Sequence, residues 1–457
     1  MYSNSSRMAA AGGEKKRMWV VDMEATLKEA DWKSAEASRW ERHCIYRVPA
    51  CIKDIKSKAY QPQVVSLGPF HHGDPNLLPM EDHKRRALRH LLRRAGRPLD
   101  DFVDAVEDAA DQLQSAYMDL GAEWRAETGT GGRERFLEMM IVDGCFLLEV
   151  MRTAAGQSVH DYADNDPIFS HHGILYMVPY IRRDMLMLEN QLPLLVLQKL
   201  NAVETGKPPN DDLVNRMVLK FLAPSSRPLQ QGIGLRLHPL DVLRRSMLFG
   251  EYQKIRGSVN DSQENDIIRS AVELYEAGIG FKTSKSSSLH DIRFRHGVLS
   301  MPPVPVDDST EYMFLNMMAF ERLHVGAGND VTAYVFFMDN IIDSSKDVAL
   351  LSSKGIIQNA IGSDNAVAKL FNSIARDVVI EPDSALDAVQ RQVNGYFRQP
   401  WNSWRANLVH TYFRSPWALM SLAAAVFLIV MTIMQTVYTV WGFYKDSSSP
   451  PLAPAPM

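Results

Sequence analysis

Apolar positions fall into three patterns along the chain. The first is a continuous run near the C-terminus: no Asp, Glu, Lys or Arg stands between Ser415 and Tyr444. As a helix, residues 418–440 extend about 34 Å, enough to cross a hydrocarbon core of roughly 30 Å. Its polar groups are mild. The hydroxyls of Thr432, Thr436 and Thr439 can bond back to a carbonyl one turn earlier, and Gln435 suits the far interface or a helix–helix contact. Trp401, Trp404, Tyr412, Phe413 and Trp417 precede the run, and Tyr438, Trp441, Phe443 and Tyr444 close it, as an interfacial belt requires. A buried helix of a soluble core is the alternative, but such helices are rarely this long and this uniformly apolar.

The second pattern has helical period. FLEMMIVDGCFLLEVMR (136–152) is a strongly apolar helix, and DMLMLENQLPLLVLQKL (184–200) reads as another with a break near Pro193. A helix is expected from Glu81, turning at Gly96-Arg97-Pro98 into a second one. Asp308-Ser309-Thr310-Glu311 matches a capping box, with Asp308 as N-cap and Glu311 three residues on. Shorter helices follow in HPLDVLRRSM (238–247), VTAYVFFMDNIID, KDVALLSSKGIIQNAI and DNAVAKLFNSIARDV. The third pattern is extended. Residues 44–82 are dense in Pro and Gly, and Ile292 and Phe294 alternate with Arg293 and Arg295 before Gly297 and a further apolar run. That alternation predicts a β-hairpin, stopped by Pro302, Pro303 and Pro305. The fold class is therefore mainly α: a large helical domain with a minor β-hairpin and a C-terminal transmembrane helix. The boundaries expected are a polar extension over 1–35, a helical body over 36–412, an anchor over 413–444 and a Pro/Ser-rich tail over 445–457. The linker region 201–237 leaves room for a division of the body into two lobes.

Charge changes the picture in two places. The chain of 457 residues carries 50 basic and 54 acidic residues, too even a balance for nucleic acid as the main partner. Around the apolar run the charges are uneven: Arg398, Arg405, His410 and Arg414 precede it, while Lys445 beside Asp446 follows. The positive-inside rule then places the N-terminal body in the cytosol. The N-terminus lacks the apolar core of a secretory signal, and Cys44, Cys51 and Cys145 are too few for a disulfide framework, which fits a reducing compartment. A Cys44–Cys51 bridge is the alternative.

Candidate chemistry is sparse. No phosphate-binding loop, zinc-protease helix, nucleophile elbow or dinucleotide fingerprint is present. Asp143, Asp184 and Glu189 lie among apolar residues, where two carboxylates could act as acid and base. The competing reading is a buried polar network that fixes register, paired with Arg182, Arg183, Asn190 or backbone amides. His71, His72, Glu81 and His83 form the best metal candidate, although adjacent histidines on an extended segment point opposite ways. The basic run Lys84, Arg85, Arg86, Arg89, Arg93, Arg94 and Arg97 could bind phosphate or anionic lipid. The simpler expectation is a helical hairpin whose basic run faces the acidic run from Asp100 to Asp111. No catalytic residue, cofactor or metal site is assigned.

The strings IYRVP (45–49), YQPQVVSLGPFHHG (60–73), MEDHK (80–84), FLEMMIVDGCFLLEV (136–150) and DMLMLENQLPLLVL (184–197) resemble the plant family called domain of unknown function 247. PPVPVDDSTE (302–311), FMDNIIDSSKDVALLSSKGII (337–357) and WNSWRANLVHTYFRSPW (401–417) continue the resemblance, which covers roughly residues 40 to 444. It implies an uncharacterised plant protein with one C-terminal membrane span. Some grass members are implicated in self-incompatibility, and the family supplies no catalytic residues to carry over. One departure stands in AFERLH (319–324): Arg322-Leu323 occupies a place where many members have Gln-Cys. The function expected is that of a membrane-anchored, non-enzymatic protein at the plasma membrane or an endomembrane, binding as yet unknown protein partners in interaction or signalling. The alternative is an enzyme with a carboxylate or histidine site.

Overall fold

The computed structural model describes residues 37, 40–54, 56–125, 131–156, 161–224, 231–250, 267–376, 385–399 and 416–446. The extension over 1–35, the linker over 256–266, Trp401, Trp404, Arg405, His410, Tyr412, Phe413, Arg414 and the tail from residue 447 lie outside the described residues.

After the short helix α1 (Ala50–Lys53), the chain passes through a 3-10 turn (Ser57–Tyr60) and irregular backbone to α2 (Pro79–Ala95), which has Pro at its first position and ends on Gly96. Pro98 opens α3 (Leu99–Glu107), so the predicted turn at Gly96-Arg97-Pro98 is present. α4 (Ala110–Ser115) leads to α5 (Gly132–Ala154), the centre of the body. From Phe136 to Met151 almost every side chain of α5 is buried, because the helix is apolar on all faces and has α2, α3 and α8 packed around it. α6 (His171–Tyr176) and α7 (Val178–Asp184) precede α8 (Leu194–Thr205), and α9 (Asp211–Leu222) and α10 (Pro239–Met247) follow.

The expected helix over 184–200 forms only from Leu194. Between Asp184 and Pro193 the backbone leaves the helix because polar side chains compete for its carbonyls. Gln191 Nε2 donates to the Met185 and Met187 carbonyls at 2.6 and 2.8 Å, and Asn190 Nδ2 donates to the Asp184 carbonyl at 3.1 Å.

α11 (Ala271–Glu276) leads into a small sheet of β1 (Gly280–Thr283), β2 (Arg293–Arg295) and β3 (Val298–Met301), in the order β1-β3-β2. β2 and β3 are the predicted hairpin. Arg295 pairs with Val298, leaving His296 and Gly297 as a two-residue turn, both at positive φ (49° and 76°). That is the primed turn whose twist matches the strands. β1, parallel to β3, was not read from the pattern. Pro305 does not end the extended region but sits inside β4 (Val304–Val306), which pairs in parallel with β5 (Ile357–Asn359). A two-stranded ladder has only edges, where Pro is tolerated.

α12 (Thr310–Leu323), α13 (Asp330–Ile341), α14 (Ser345–Ser353), α15 (Asp364–Ile374) and α16 (Ala385–Phe397) complete the body. The N-cap of α12 is Ser309, one residue later than expected, and its side chain makes no cap hydrogen bond; Asp307 braces the turn before it. Asp307 Oδ1 accepts from Ser309 N at 2.9 Å, and Asp307 N donates to Thr310 Oγ1 at 2.8 Å. Glu311 is drawn instead to Lys56 and Ser373. A reciprocal capping box does form at Ser344 and Asp347. One contiguous apolar cluster runs from Cys44 to Val393, and all three cysteines are free.

The last helix, α17 (Pro416–Asp446), has 31 residues, or about 46 Å of length. Its described apolar side chains, between Met420 and Trp441, are exposed, Phe427 at 63% and Trp441 at 70%. Among the described residues it is the one helix long and apolar enough to cross a membrane, over Ala423–Gly442. Thr432, Thr436 and Thr439 donate to the carbonyls of Leu428, Thr432 and Gln435 at 2.7–2.8 Å, as the sequence predicts.

Candidate functional site

The three carboxylates read from the sequence hold the extended N-terminal segment in place. Asp184 stands at the end of α7, where a single oxygen, Oδ2, accepts from the backbone N–H groups of Gln63, Val64 and Val65 at 3.0, 2.7 and 3.0 Å. Asn190 continues the clamp, accepting from Leu67 N at 2.7 Å and donating to the Val65 carbonyl at 3.0 Å. Asp143, on α5, accepts from Gly68 N at 2.8 Å and from Lys84 Nζ at 2.7 Å. Lys84 is wholly buried and also donates to the Ser66 carbonyl and to Glu81. The segment 63–68 thus has the hydrogen bonding of a strand with side chains in place of neighbouring strands. Gly68 is required at its end. Its φ is +74°, and a Cβ there would lie 2.7 Å from the Tyr117 hydroxyl and 2.9 Å from the Gln191 carbonyl oxygen.

Burial pushes Asp143 above the usual carboxylate range against the pull of Lys84, and pushes Asp184 up against its three N–H donors. Glu189 behaves otherwise. Burial would raise it, but His71, Lys53 and the Val48 N–H outweigh burial and hold it below its ordinary value. It accepts from Val48 N at 2.5 Å and pairs with Lys53 at 2.7 Å. Each of the three carboxylates therefore clamps a different stretch of backbone, and the network reading is the one the geometry supports.

The histidine group does not converge. His71 Nε2 lies 3.5 Å from Glu189, His72 stacks edge-on against Trp124, Glu81 pairs with Lys84, and His83 meets Arg86. No group of three metal-ligating side chains stands together among the described residues. The basic run is also resolved, though not into the facing charge ladder expected. Lys84 pairs with Asp143, Arg86 with Asp166, and Arg94 with Glu149 and Asp161, whereas Arg97 reaches Asp101 at 3.7 Å. The reason is packing: α2 lies along α5, while α3 buries Phe102 and Val106 and turns Asp104, Glu107 and Asp108 to solvent.

A cavity of about 380 Å³ opens elsewhere, between α1, the C-terminal half of α12, the α12–α13 loop and the end of α15. Ile52, Leu315, Met318 and Ile374 give it apolar walls, and Tyr60, His324, Asn329 and Thr332 give polar ones. Its carboxylate, Glu321, is fully engaged. Arg244 Nε and Nη2 reach Glu321 Oε1 at 2.9 and 2.7 Å, and the first N–H groups of α13, on Val331 and Thr332, donate to its two oxygens at 3.0 and 2.9 Å. Arg322 and Arg376, both exposed residues, also line the cavity.

His324 has a defined tautomer. The Tyr46 hydroxyl gives its proton to the His43 carbonyl at 2.7 Å, so His324 Nδ1, 2.9 Å from that hydroxyl, must be the donor and Nε2 bears no proton in the neutral ring. Burial lowers the pKa of His324 and keeps the ring neutral. Sequence reading did not assemble this site, because its residues come from four separated segments. Its single signal was the departure at Arg322.

Residues 45–431 match the model of a family described as plant protein of unknown function. A UPF0481 protein of Arabidopsis thaliana is 31% identical over 443 residues, covering 90% of this chain and 89% of that protein. A second, putative UPF0481 protein of the same plant is 23% identical over 521 residues, covering 91% and 93%. No solved structure matches.

Proposed function

The chain belongs to this plant family of unknown function, and from that premise we propose that it is a membrane-anchored, non-enzymatic protein working through protein–protein interaction or signalling. The observation that carries the reading is α17, a 31-residue apolar helix whose described side chains, between Met420 and Trp441, are exposed. The cost of leaving such a surface in water is removed by a bilayer. In this reading residues 36–412 form the body, 413–444 the anchor and 445–457 a tail on the far side, with the body in the cytosol. The excess of basic residues before the span supports that orientation. The non-enzymatic part is supported by the clamp roles of Asp143, Asp184 and Glu189, which leave those carboxylates with backbone and lysine partners in place of a substrate.

The test has two arms on the full chain in plant membranes. Replacing Leu428 and Val430 by Asp, each costing about 2.5–3.5 kcal/mol at a helix centre, should release the protein to carbonate extraction. A photo-crosslinking residue at Leu175 or Tyr176, both 57% exposed, should give a discrete adduct with a second protein. A double variant still resistant to carbonate would remove the anchor, and crosslinks confined to the chain itself would remove the interaction role.

A further inference from the structure

We propose that the exposed arginine face of α2, formed by Arg85, Arg89 and Arg93 with Arg97 just beyond the helix, binds anionic lipid headgroups and lays the body against the bilayer that holds α17. The inference rests on the anchor and the cytosolic body of the preceding reading, and adds a second contact with the membrane.

Three observations carry it. The first is how folding sorts the basic run. Lys84, Arg86 and Arg94 turn to the buried carboxylates of Asp143, Asp166 and Glu149. The exposed positions of α2 are Pro79, Asp82, Arg85, Arg89, Arg93 and Arg94, so on the helix itself only Asp82 opposes the positive charge of that face. Arg85, Arg89 and Arg93 stand four residues apart, a row about 12 Å long on one side of the helix. Arg85 meets Glu138 at 3.6 Å and Arg97 meets Asp101 at 3.7 Å, both between exposed side chains screened by water, and Arg89 and Arg93 have no ion pair among the described residues. Lys207 extends the patch. It is exposed and follows Gly206, where a Cβ would fall 2.9 Å from Arg97 Nη2.

The second observation is shape. No residue of α2 lines the cavity described above. A row of charges along an exposed helix suits an extended anionic plane, not an enclosed ligand. The third is reach. Residues 400–415 join the described end of the body to α17, and a stretch of that length spans at most roughly 60 Å. A compact body of this size has a radius of gyration of about 21 Å, so the bilayer is within reach of any of its faces. The cytoplasmic leaflet carries anionic lipid, and each arginine near it contributes about a fivefold preference for the docked state. An acidic segment of another protein has the same charge but is not held beside the body by the chain itself.

The experiment uses the full chain in lipid nanodiscs. Cys51→Ser and Asp82→Cys place a bimane label on the arginine face, Cys44 and Cys145 being buried, and a lipid with a nitroxide headgroup serves as quencher. Quenching should be stronger in discs containing phosphatidylserine than in discs of phosphatidylcholine alone, and should fall as salt is raised. Arg89→Gln/Arg93→Gln should reduce the ratio of docked to undocked body about thirtyfold at an unchanged thermal midpoint, and Arg89→Lys/Arg93→Lys should retain docking. Equal quenching in the two kinds of disc, or quenching in anionic discs that Arg89→Gln/Arg93→Gln leaves unchanged, would overturn the proposal. So would poly-glutamate that binds through Arg89 and Arg93 while phosphatidylserine leaves the quenching unchanged, a result that gives the face to an acidic protein segment. Co-elution with phosphatidylcholine discs reads the anchor by itself. A chain that elutes free of them overturns the tether, whereas one that co-elutes and shows no lipid-dependent quenching overturns the arginine face alone.

Discussion

Removing the Asp184 carboxylate is the sharpest perturbation the structure offers. Oδ2 receives three backbone N–H groups, from Gln63, Val64 and Val65, at 2.7–3.0 Å, and Asp184 itself is fully buried. Asp184→Ala leaves those donors without their acceptor. A buried donor without a partner costs about 1–3 kcal/mol, and water entering the space left by the side chain recovers part of this. The expected loss is about 3–6 kcal/mol. Asp184→Asn keeps an oxygen at the same place but gives up the charge, so its cost should be about 1–2 kcal/mol. Urea unfolding of the full chain in nanodiscs reads both, with Trp124, buried against Phe136, as the fluorescent probe. An Asp184→Ala variant within about 1 kcal/mol of the parent would refute the argument that this side chain takes the place of a neighbouring strand.

The Lys84–Asp143 pair predicts that Lys84→Met costs about 3–5 kcal/mol by stranding a buried carboxylate, and that Lys84→Met/Asp143→Leu recovers much of the loss in a double-mutant cycle. Gly68→Ala should cost about 2 kcal/mol or more, from its positive φ and a Cβ too close to the Gln191 carbonyl, and a neutral substitution in urea unfolding would contradict this. His238 is wholly buried and its pKa is lowered to about 4 by burial, while Nε2 lies 3.1 Å from the Cys44 carbonyl. The unfolded chain takes up this proton first, so stability is complete above the ordinary value near 6.5 and is lost as pH falls from there to about 4. The loss amounts to about 3 kcal/mol, and His238→Gln should flatten that part of the pH–stability curve relative to the parent.

What the sequence made legible is whatever periodicity encodes. α17 is apolar over many turns, α5 is apolar on most of its positions from Phe136 to Met151, and the hairpin shows a period of two interrupted by His296-Gly297. Pairings set by distant partners were not legible. Asp184 looks the same in sequence whether it serves as a base or as a clamp, since the amides it holds lie about 120 residues earlier. Gln191 and Asn190 stopped a helix that their apolar neighbours predicted, through hydrogen bonds that hydropathy does not register. The N-cap of α12 falls at Ser309 and not at Asp308, because Asp307 and Thr310 bond across the turn that precedes the helix, an arrangement that the spacing of polar residues does not register. The cavity depends on Ile52, Tyr60, Arg322 and Arg376 meeting in space, which no local pattern records.

The central claim is a body in the cytosol on a C-terminal anchor, and glycosylation of the full chain in plant cells tests it most directly. Asn260-Asp261-Ser262 is an acceptor sequence in the body, and a second can be appended to the tail beyond Asp446. The account predicts that a glycosidase leaves the mobility of the natural chain unchanged and shifts that of the chain with the added acceptor. A shift that disappears on Asn260→Gln would put the body in the lumen or outside the cell and contradict it.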